Sequence, residues 1–172
     1  MKDETVETVR YLTAVTALGL FTYSGIDTTG LQDWTASVVA NVLRDWGVSI
    51  PRHANVFHLH GMNAVIIKGC VVWPAISLFI ALIVPIPGAS WWRKAAACAV
   101  SFAILTVGNI FRLAFMFYMM RAWGVSFHVA HDIVSQIVGL ILVIIAGWVC
   151  FRILPEFEEW LHRIYNFFLL RT

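Results

Sequence analysis

The feature that most constrains this chain is a hydrophobic stretch at residues 95–120 (AAACAVSFAILTVGNIFRLAFMFYMM), which carries a single full charge, Arg112. About 20 apolar residues suffice for a helix to cross a bilayer. An arginine inside such a helix costs about 2.5–3.5 kcal/mol on insertion scales and normally faces a cavity or a partner. Asn109 falls on the same helix face by i,i+3 spacing. The stretch therefore predicts a transmembrane helix with a functional polar site. The alternative is that Arg112 extends its guanidinium to the membrane surface.

Composition supports a membrane protein and argues against several other classes. The 172 residues are 60% hydrophobic and 13% charged, whereas a soluble domain is about 45–50% apolar and about 25% charged. A net charge of +2 with no basic run argues against a nucleic-acid partner. Three cysteines do not make a disulfide framework, and no Cys/His spacing matches a ligand motif. We therefore expect no metal and no cofactor.

Apolar runs predict four spans in a single transmembrane domain covering residues 1–172, at about 9–26, 71–87, 95–120 and 130–151. Between the first two, residues 31–46 have the spacing of an amphipathic surface helix. Residues 56–67 read as two short strands around a Gly61–Asn63 turn. Exposed strand edges are not tolerated in lipid, so this hairpin must lie outside the hydrocarbon. The predicted fold is an all-α integral membrane protein with about four transmembrane helices, a surface amphipathic helix and a short extracytoplasmic β-hairpin in the region 31–69.

Lysine and arginine counts give the expected orientation, because cytoplasmic loops carry the excess of positive charge. With four spans, seven basic residues fall on one side: Lys2, Arg10, Arg93, Lys94, Arg152, Arg163 and Arg171. Four fall on the other: Arg44, Arg52, Lys68 and Arg121. Both termini are therefore expected in the cytoplasm, and the hairpin outside the cytoplasmic membrane.

This orientation places three kinds of reactive side chain at one depth. Cys70 begins an inward-running span, Arg112 lies about 12 Å below the outer end of its helix, and His128 and His131 open the last span. A thiolate is the reactive form of cysteine, and nearby cations and helix N-termini favour it. Histidine can pass a proton to a leaving amine, and arginine can hold an oxyanion. These residues predict a thiol nucleophile at the outer membrane face.

Two further polar residues could support this chemistry. Asn109 could orient Arg112, and Asp132 could fix the tautomer of the histidine. Arg121 is either a helix-end cap or a group that binds a substrate carboxylate.

At these positions the sequence resembles the exosortase/archaeosortase family of membrane cysteine transpeptidases. The matching stretches are 61–70, Asn109-Ile110-Phe111-Arg112 and 127–132, and the resemblance covers about residues 48–149, or 102 of 172 positions. It implies Cys70 as nucleophile, Arg112 as the essential arginine and His131 as the third member, with His128 competing for that role. It also implies membrane-anchored protein substrates with a C-terminal sorting signal, cleaved at the outer face. A lipid or polysaccharide would be a candidate acceptor for the new C-terminus.

Two other functions fit the residues. Outer histidines, among them His53, His58 and His60, could bind a metal, haem or quinone in a membrane module without catalytic activity. The chain could also be an assembly subunit with no chemistry of its own.

Overall fold

The computed structural model describes residues 2–59 and 61–169 of the chain, and most of them are helical. In chain order the elements are α1 (Lys2–Gly25), α2 (Thr29–Asp45), β1 (Arg52–His53), β2 (Val56–Leu59), β3 (Met62–Val65), α3 (Trp73–Ile83), α4 (Trp91–Ala122), a π-helix (Val129–Ser135), α5 (Gln136–Ile153) and α6 (Pro155–Leu169). The amphipathic helix predicted at residues 31–46 corresponds to α2.

Among the described residues, two helices are long and apolar enough to cross a membrane. They are α4 and the continuous helical segment Val129–Ile153, which joins the π-helix to α5. These segments contain the predicted spans at 95–120 and 130–151. The expectation of helices of membrane-spanning length at these two places is therefore confirmed.

The other two predicted spans are not confirmed. The helix in the second predicted span, α3, has only 11 residues, which is about 16 Å at 1.5 Å per residue and only about half of a 30 Å hydrocarbon core. The first, α1, has 24 residues but includes Glu7 and Arg10. Its Thr13 and Thr16 hydroxyls donate to backbone carbonyls one turn earlier, so polar groups interrupt its apolar stretch.

The predicted hairpin is part of a three-stranded antiparallel sheet in the order β1-β2-β3. Pairing of β2 with β3 begins at Leu59 and Met62, so β3 starts at the Met62 that the sequence placed in the turn. Gly61 has a φ of +85°, a conformation that glycine adopts without steric cost. Strand β1 was not predicted, because a two-residue strand is too short to show a period-two pattern.

The chain forms two compact units, and each has its own packing. The first consists of described residues within 1–26, 75–103 and 145–172. Here the Tyr11 ring stacks on Trp160 with centroids 4.7 Å apart, and the Tyr11 hydroxyl donates to the Leu82 carbonyl at 2.6 Å. Arg93 forms an ion pair with Glu156 at 2.7 Å. A ring stack, a hydrogen bond and an ion pair therefore join α1, α3, α4 and α6 within this unit.

The second unit consists of residues 27–74 and 104–144 and contains all the predicted site residues. The sheet packs against α4 through Phe57 and Phe117, two buried rings with centroids 4.5 Å apart. Gly108 on α4 faces Leu142 on α5 so closely that a Cβ at Gly108 would lie 2.3 Å from a Leu142 methyl group. The core of this unit therefore holds the sheet, residues 104–122 of α4 and residues 129–144 around the predicted site residues.

Candidate active site

Cys70 lies in a tight turn between β3 and α3. Its backbone N–H donates to the Ile67 carbonyl at 2.8 Å, and the N–H of Val72 donates to the Gly69 carbonyl at 3.3 Å. The Cys70 side chain is half-buried and its thiol is free. Helix α3 begins three residues later, at Trp73, so Cys70 precedes the helix and does not belong to it.

The turn contains an unusual backbone conformation at Val72, whose φ is +56°. A β-branched residue in the left-handed region is a steric outlier that costs about 1–3 kcal/mol. Such conformations persist only where the surroundings enforce them, and they cluster at functional sites. The strained residue lies two positions after the candidate nucleophile, and no sequence pattern signals it.

Two side chains of α4 bind the backbone of this turn. The Asn109 amide Nδ2 donates to the Cys70 carbonyl at 2.7 Å, and Arg112 Nη2 approaches the same oxygen at 3.5 Å. Asn109 is 1% exposed, so this hydrogen bond is shielded from water. The partner that the structure gives Asn109 is thus the main chain of Cys70. The bound atom is the carbonyl oxygen, which leaves the sulfur available for reaction.

The Arg112 guanidinium also reaches the helical segment Val129–Ile153. Its Nη1 donates to the Ser135 carbonyl at 3.5 Å, and it lies 3.3 Å from the place where a Cβ would stand on Gly139. Cys70 and Arg112 both line one cavity. Among the described atoms, Arg112 Nε and Asn109 Oδ1 are buried without a hydrogen-bond partner. One unused donor and one unused acceptor therefore lie at this site.

The histidines lie at the start of the helical segment that leads into α5, where the backbone forms the π-helix Val129–Ser135. Such wide turns are rare and often occur at functional sites. Asp132 contacts both histidines: its Oδ1 lies 2.7 Å from His131 Nδ1, and its Oδ2 lies 2.6 Å from His128 Nδ1. The His131 ring also stacks on Phe127 with centroids 4.9 Å apart. Phe127 and His131 are four residues apart, a spacing that indicates such a contact on a helix, although the contact was not predicted.

This arrangement assigns different roles to the two nitrogens of His131. The carboxylate of Asp132 accepts a hydrogen bond from Nδ1–H. In a neutral imidazole only one nitrogen carries a proton, so Nε2 is then the nitrogen that can accept one. A histidine held in this tautomer can act as a base and then, once protonated, as an acid.

A cavity of about 130 Å³ brings three of the predicted residues together. Its walls include Cys70, Arg112 and His131, together with residues 62–66 of the sheet region and apolar side chains of α4. His128 does not line it: its side chain is 76% exposed. Arg121 is also exposed and does not line it. Asn109 and Asp132 bind wall residues without lining the cavity themselves.

The histidines suggested for a metal or cofactor are not gathered in this way. In the part of the chain that the structure describes, no group of three or more His, Cys, Asp or Glu residues could hold a metal ion. His58 Nδ1 instead lies 2.7 Å from Asn63 Oδ1 on the neighbouring strand. His60 lies outside the described residues.

Comparison with known proteins supports the resemblance read from the motifs. Residues 7–152, most of the chain, match the model of the family described as transmembrane exosortase. No curated protein and no solved structure gave a significant match. The matched range includes Cys70, Arg112 and His131. The chain therefore belongs to the transmembrane exosortase family.

Proposed function

We propose that this protein is a membrane-embedded cysteine transpeptidase. It cleaves the C-terminal sorting signal of exported, membrane-anchored proteins at the outer face of the cytoplasmic membrane. The observation that carries the proposal is the cavity whose wall contains a free thiol, a guanidinium and an imidazole from Cys70, Arg112 and His131. Family membership supports the same class of reaction.

In the first half of the reaction, His131 Nε2 takes the proton from the Cys70 thiol. The sulfur attacks the carbonyl carbon of the scissile amide, forming a C–S bond and placing a negative charge on the carbonyl oxygen. Arg112 supplies N–H donors to this oxyanion, and its buried Nε has no other partner among the described atoms. The C–N bond then breaks, and His131 gives its proton to the leaving amine. The products are a free peptide amine and a thioester on Cys70.

In the second half, an acceptor attacks the thioester. His131 takes a proton from the incoming amine, hydroxyl or water, a new bond forms to the carbonyl carbon, and the C–S bond breaks. Arg112 stabilises the second oxyanion as it does the first, and the thiolate recovers a proton from His131. A lipid or polysaccharide acceptor gives transfer, and water gives hydrolysis.

Two residues position these groups without touching the substrate. Asn109 holds the Cys70 carbonyl at 2.7 Å and thereby fixes the turn that presents the sulfur. Asp132 holds His131 Nδ1 at 2.7 Å, and its charge stabilises the imidazolium that forms during each half-reaction.

The test is co-expression of the protein with candidate membrane-anchored reporters, each carrying an epitope on either side of its C-terminal segment. Wild-type protein should shorten one of the reporters, and Cys70→Ala should leave that reporter intact while inserting in the membrane to the same level. Cys98→Ala is the matched control, because Cys98 is also a free, half-buried cysteine but does not line the cavity. Shortening of the reporter by Cys70→Ala at the wild-type rate would overturn the proposal.

A further inference from the structure

Strand β3 has an open edge. The sheet order is β1-β2-β3, so β3 pairs with β2 on one side, and no other strand within the described residues pairs with its second side. An open edge presents a row of N–H and C=O groups that can pair with another extended chain.

The hydrogen-bond pattern shows which residues of β3 face outward. Bonded and non-bonded pairs alternate along an antiparallel ladder, and the Ile66 N–H donates to the Asn55 carbonyl at 2.9 Å. Given the register of β2 and β3, the backbone groups of Ala64 and Met62 also point to β2. Those of Asn63 and Val65 therefore point to the open edge.

The β1–β2 contacts agree with this assignment. His58, the partner of Asn63 in the register, donates its N–H to the Pro51 carbonyl at 2.9 Å, on the β1 side. His58 and Asn63 therefore form a non-bonded pair, with their backbone groups directed to opposite sides of the β2–β3 ladder.

The open edge belongs to the wall of the candidate active site. Residues 62–66 line the same cavity as Cys70, Arg112 and His131, and Asn63 and Val65 are both exposed. Strand β3 ends at Val65, shortly before the turn that begins at Ile67 and contains Cys70. A chain paired with this edge would therefore lie beside the cavity whose wall contains Cys70. Phe117 and Phe127 add apolar surface to the cavity.

We infer that the substrate binds as a fourth strand on the open edge of β3, with its backbone paired to Asn63 and Val65. This inference rests on the proposed function, because it assigns the bound chain to the protein substrate of Cys70. Backbone pairing recognises an extended polypeptide of almost any sequence. Alternate side chains of such a strand point to the same face, so sequence preference should appear at every second substrate position.

The first test removes one outward N–H from the enzyme. Val65→Pro deletes a donor that β2 does not use, and proline is tolerated in an edge strand when its missing N–H faces outward. Cleavage of the reporter should fall roughly fivefold or more, the effect of one lost hydrogen bond together with the obstructed edge.

Arg52→Pro is the matched control for this change. In the β1–β2 register Arg52 lies opposite Phe57, between the bonded pairs of Pro51 with His58 and His53 with Val56. Its N–H therefore also points outward, but at the opposite edge of the same sheet, away from the cavity wall. Arg52→Pro should cleave the reporter at close to the wild-type rate per inserted molecule. Equal rates for Val65→Pro and Arg52→Pro would overturn the inference.

The second test leaves the enzyme unchanged and covers the case in which Val65→Pro fails to insert. In a proline scan of the reporter's C-terminal segment, the substitutions at every second position should block cleavage. An alanine scan of the same segment accounts for the effect of the lost side chains. A block without this alternation would contradict strand addition.

The two proposals fail in distinguishable ways. Cleavage that does not depend on Cys70 removes the proposed function. Cleavage that depends on Cys70 but is insensitive to Val65→Pro and shows no alternation removes only the strand-addition inference.

Discussion

At the scale of single residues, the site separates the groups that hold Cys70 from the groups that would react with it. Asn109 and Arg112 bind the backbone carbonyl of Cys70, which fixes the turn without engaging the sulfur. Asp132 binds Nδ1 of His131, which leaves Nε2 for proton transfer. Reacting side chains need such rigid support, because moving one of them by about 1 Å can lower the rate on the order of 100-fold.

Replacing each histidine separately tests which one transfers the proton. His131→Ala should lower reporter cleavage by roughly 100- to 10,000-fold, the usual contribution of a general acid–base group. His128→Ala should have a much smaller effect, because the His128 side chain is 76% exposed and does not line the cavity. Rates are measured per molecule inserted in the membrane. A larger loss in His128→Ala than in His131→Ala would contradict the assignment.

Val72 provides a test of backbone strain. In a helix or strand interior, alanine is more stabilising than glycine by about 0.5–1 kcal/mol. At Val72, with a φ of +56°, the order should reverse, because only glycine adopts this conformation freely and an L-residue pays about 1–2 kcal/mol. Val72→Gly should therefore unfold at a higher temperature in detergent than Val72→Ala. The opposite order would show that Val72 does not hold this conformation.

At the scale of elements, the sequence predicted the two longest apolar helices well. Segments α4 and Val129–Ile153 are long and apolar throughout, so their composition is sufficient to identify them. The same reasoning is not confirmed for 71–87, where the helix contains only 11 residues. The apolar composition of residues 71–87 does not determine how many of them are helical.

Part of the candidate site was also predicted from the sequence. The side chains of Cys70, Arg112 and His131 were predicted at one depth from span order, and the structure places all three on one cavity wall. The positive φ of Val72, the π-helix and the pairing of Asn109 with the Cys70 carbonyl depend on tertiary contacts. Neither periodicity nor residue spacing carries that information.

The contact between α4 and α5 depends on Gly108. A Cβ at this position would lie 2.3 Å from one Leu142 methyl carbon and 2.9 Å from the other. Gly108→Ala should therefore force the Leu142 side chain to move and destabilise the protein by about 1 kcal/mol, the low end of overpacking, because Leu142 is only half-buried. It should also impair cleavage, because Gly108 precedes Asn109 on the same helix.

Gly30→Ala is the control for Gly108→Ala, and both variants are compared by thermal unfolding in detergent. Gly30 is also helical, but nothing lies within 4 Å of a Cβ there. This change should be neutral or stabilising by up to about 1 kcal/mol. If Gly108→Ala proves as stable as Gly30→Ala, α4 and α5 do not pack as described.

At the scale of the whole molecule, the proposal requires the sheet and the cavity to face the exterior. The prediction from four spans and the lysine and arginine count has the sheet region outside and residues 91–94 in the cytoplasm. In a variant without native cysteines, Arg52→Cys should react with a membrane-impermeant maleimide in intact cells. Ser90→Cys should react only after the membrane is opened. The reverse pattern would invert the orientation and contradict cleavage at the outer face.

The central claim is that the Cys70 sulfur forms a covalent bond to the substrate, and the most direct measurement is mass spectrometry of the protein isolated while it processes a reporter. A hydroxylamine-labile adduct is expected on the peptide that contains Cys70, with the mass of the reporter segment that lies N-terminal to the scissile bond and ends at the new C-terminus. No such adduct should appear on Cys98 or Cys150. Continued processing with Cys70 unmodified, or with the adduct on another cysteine, would contradict the account.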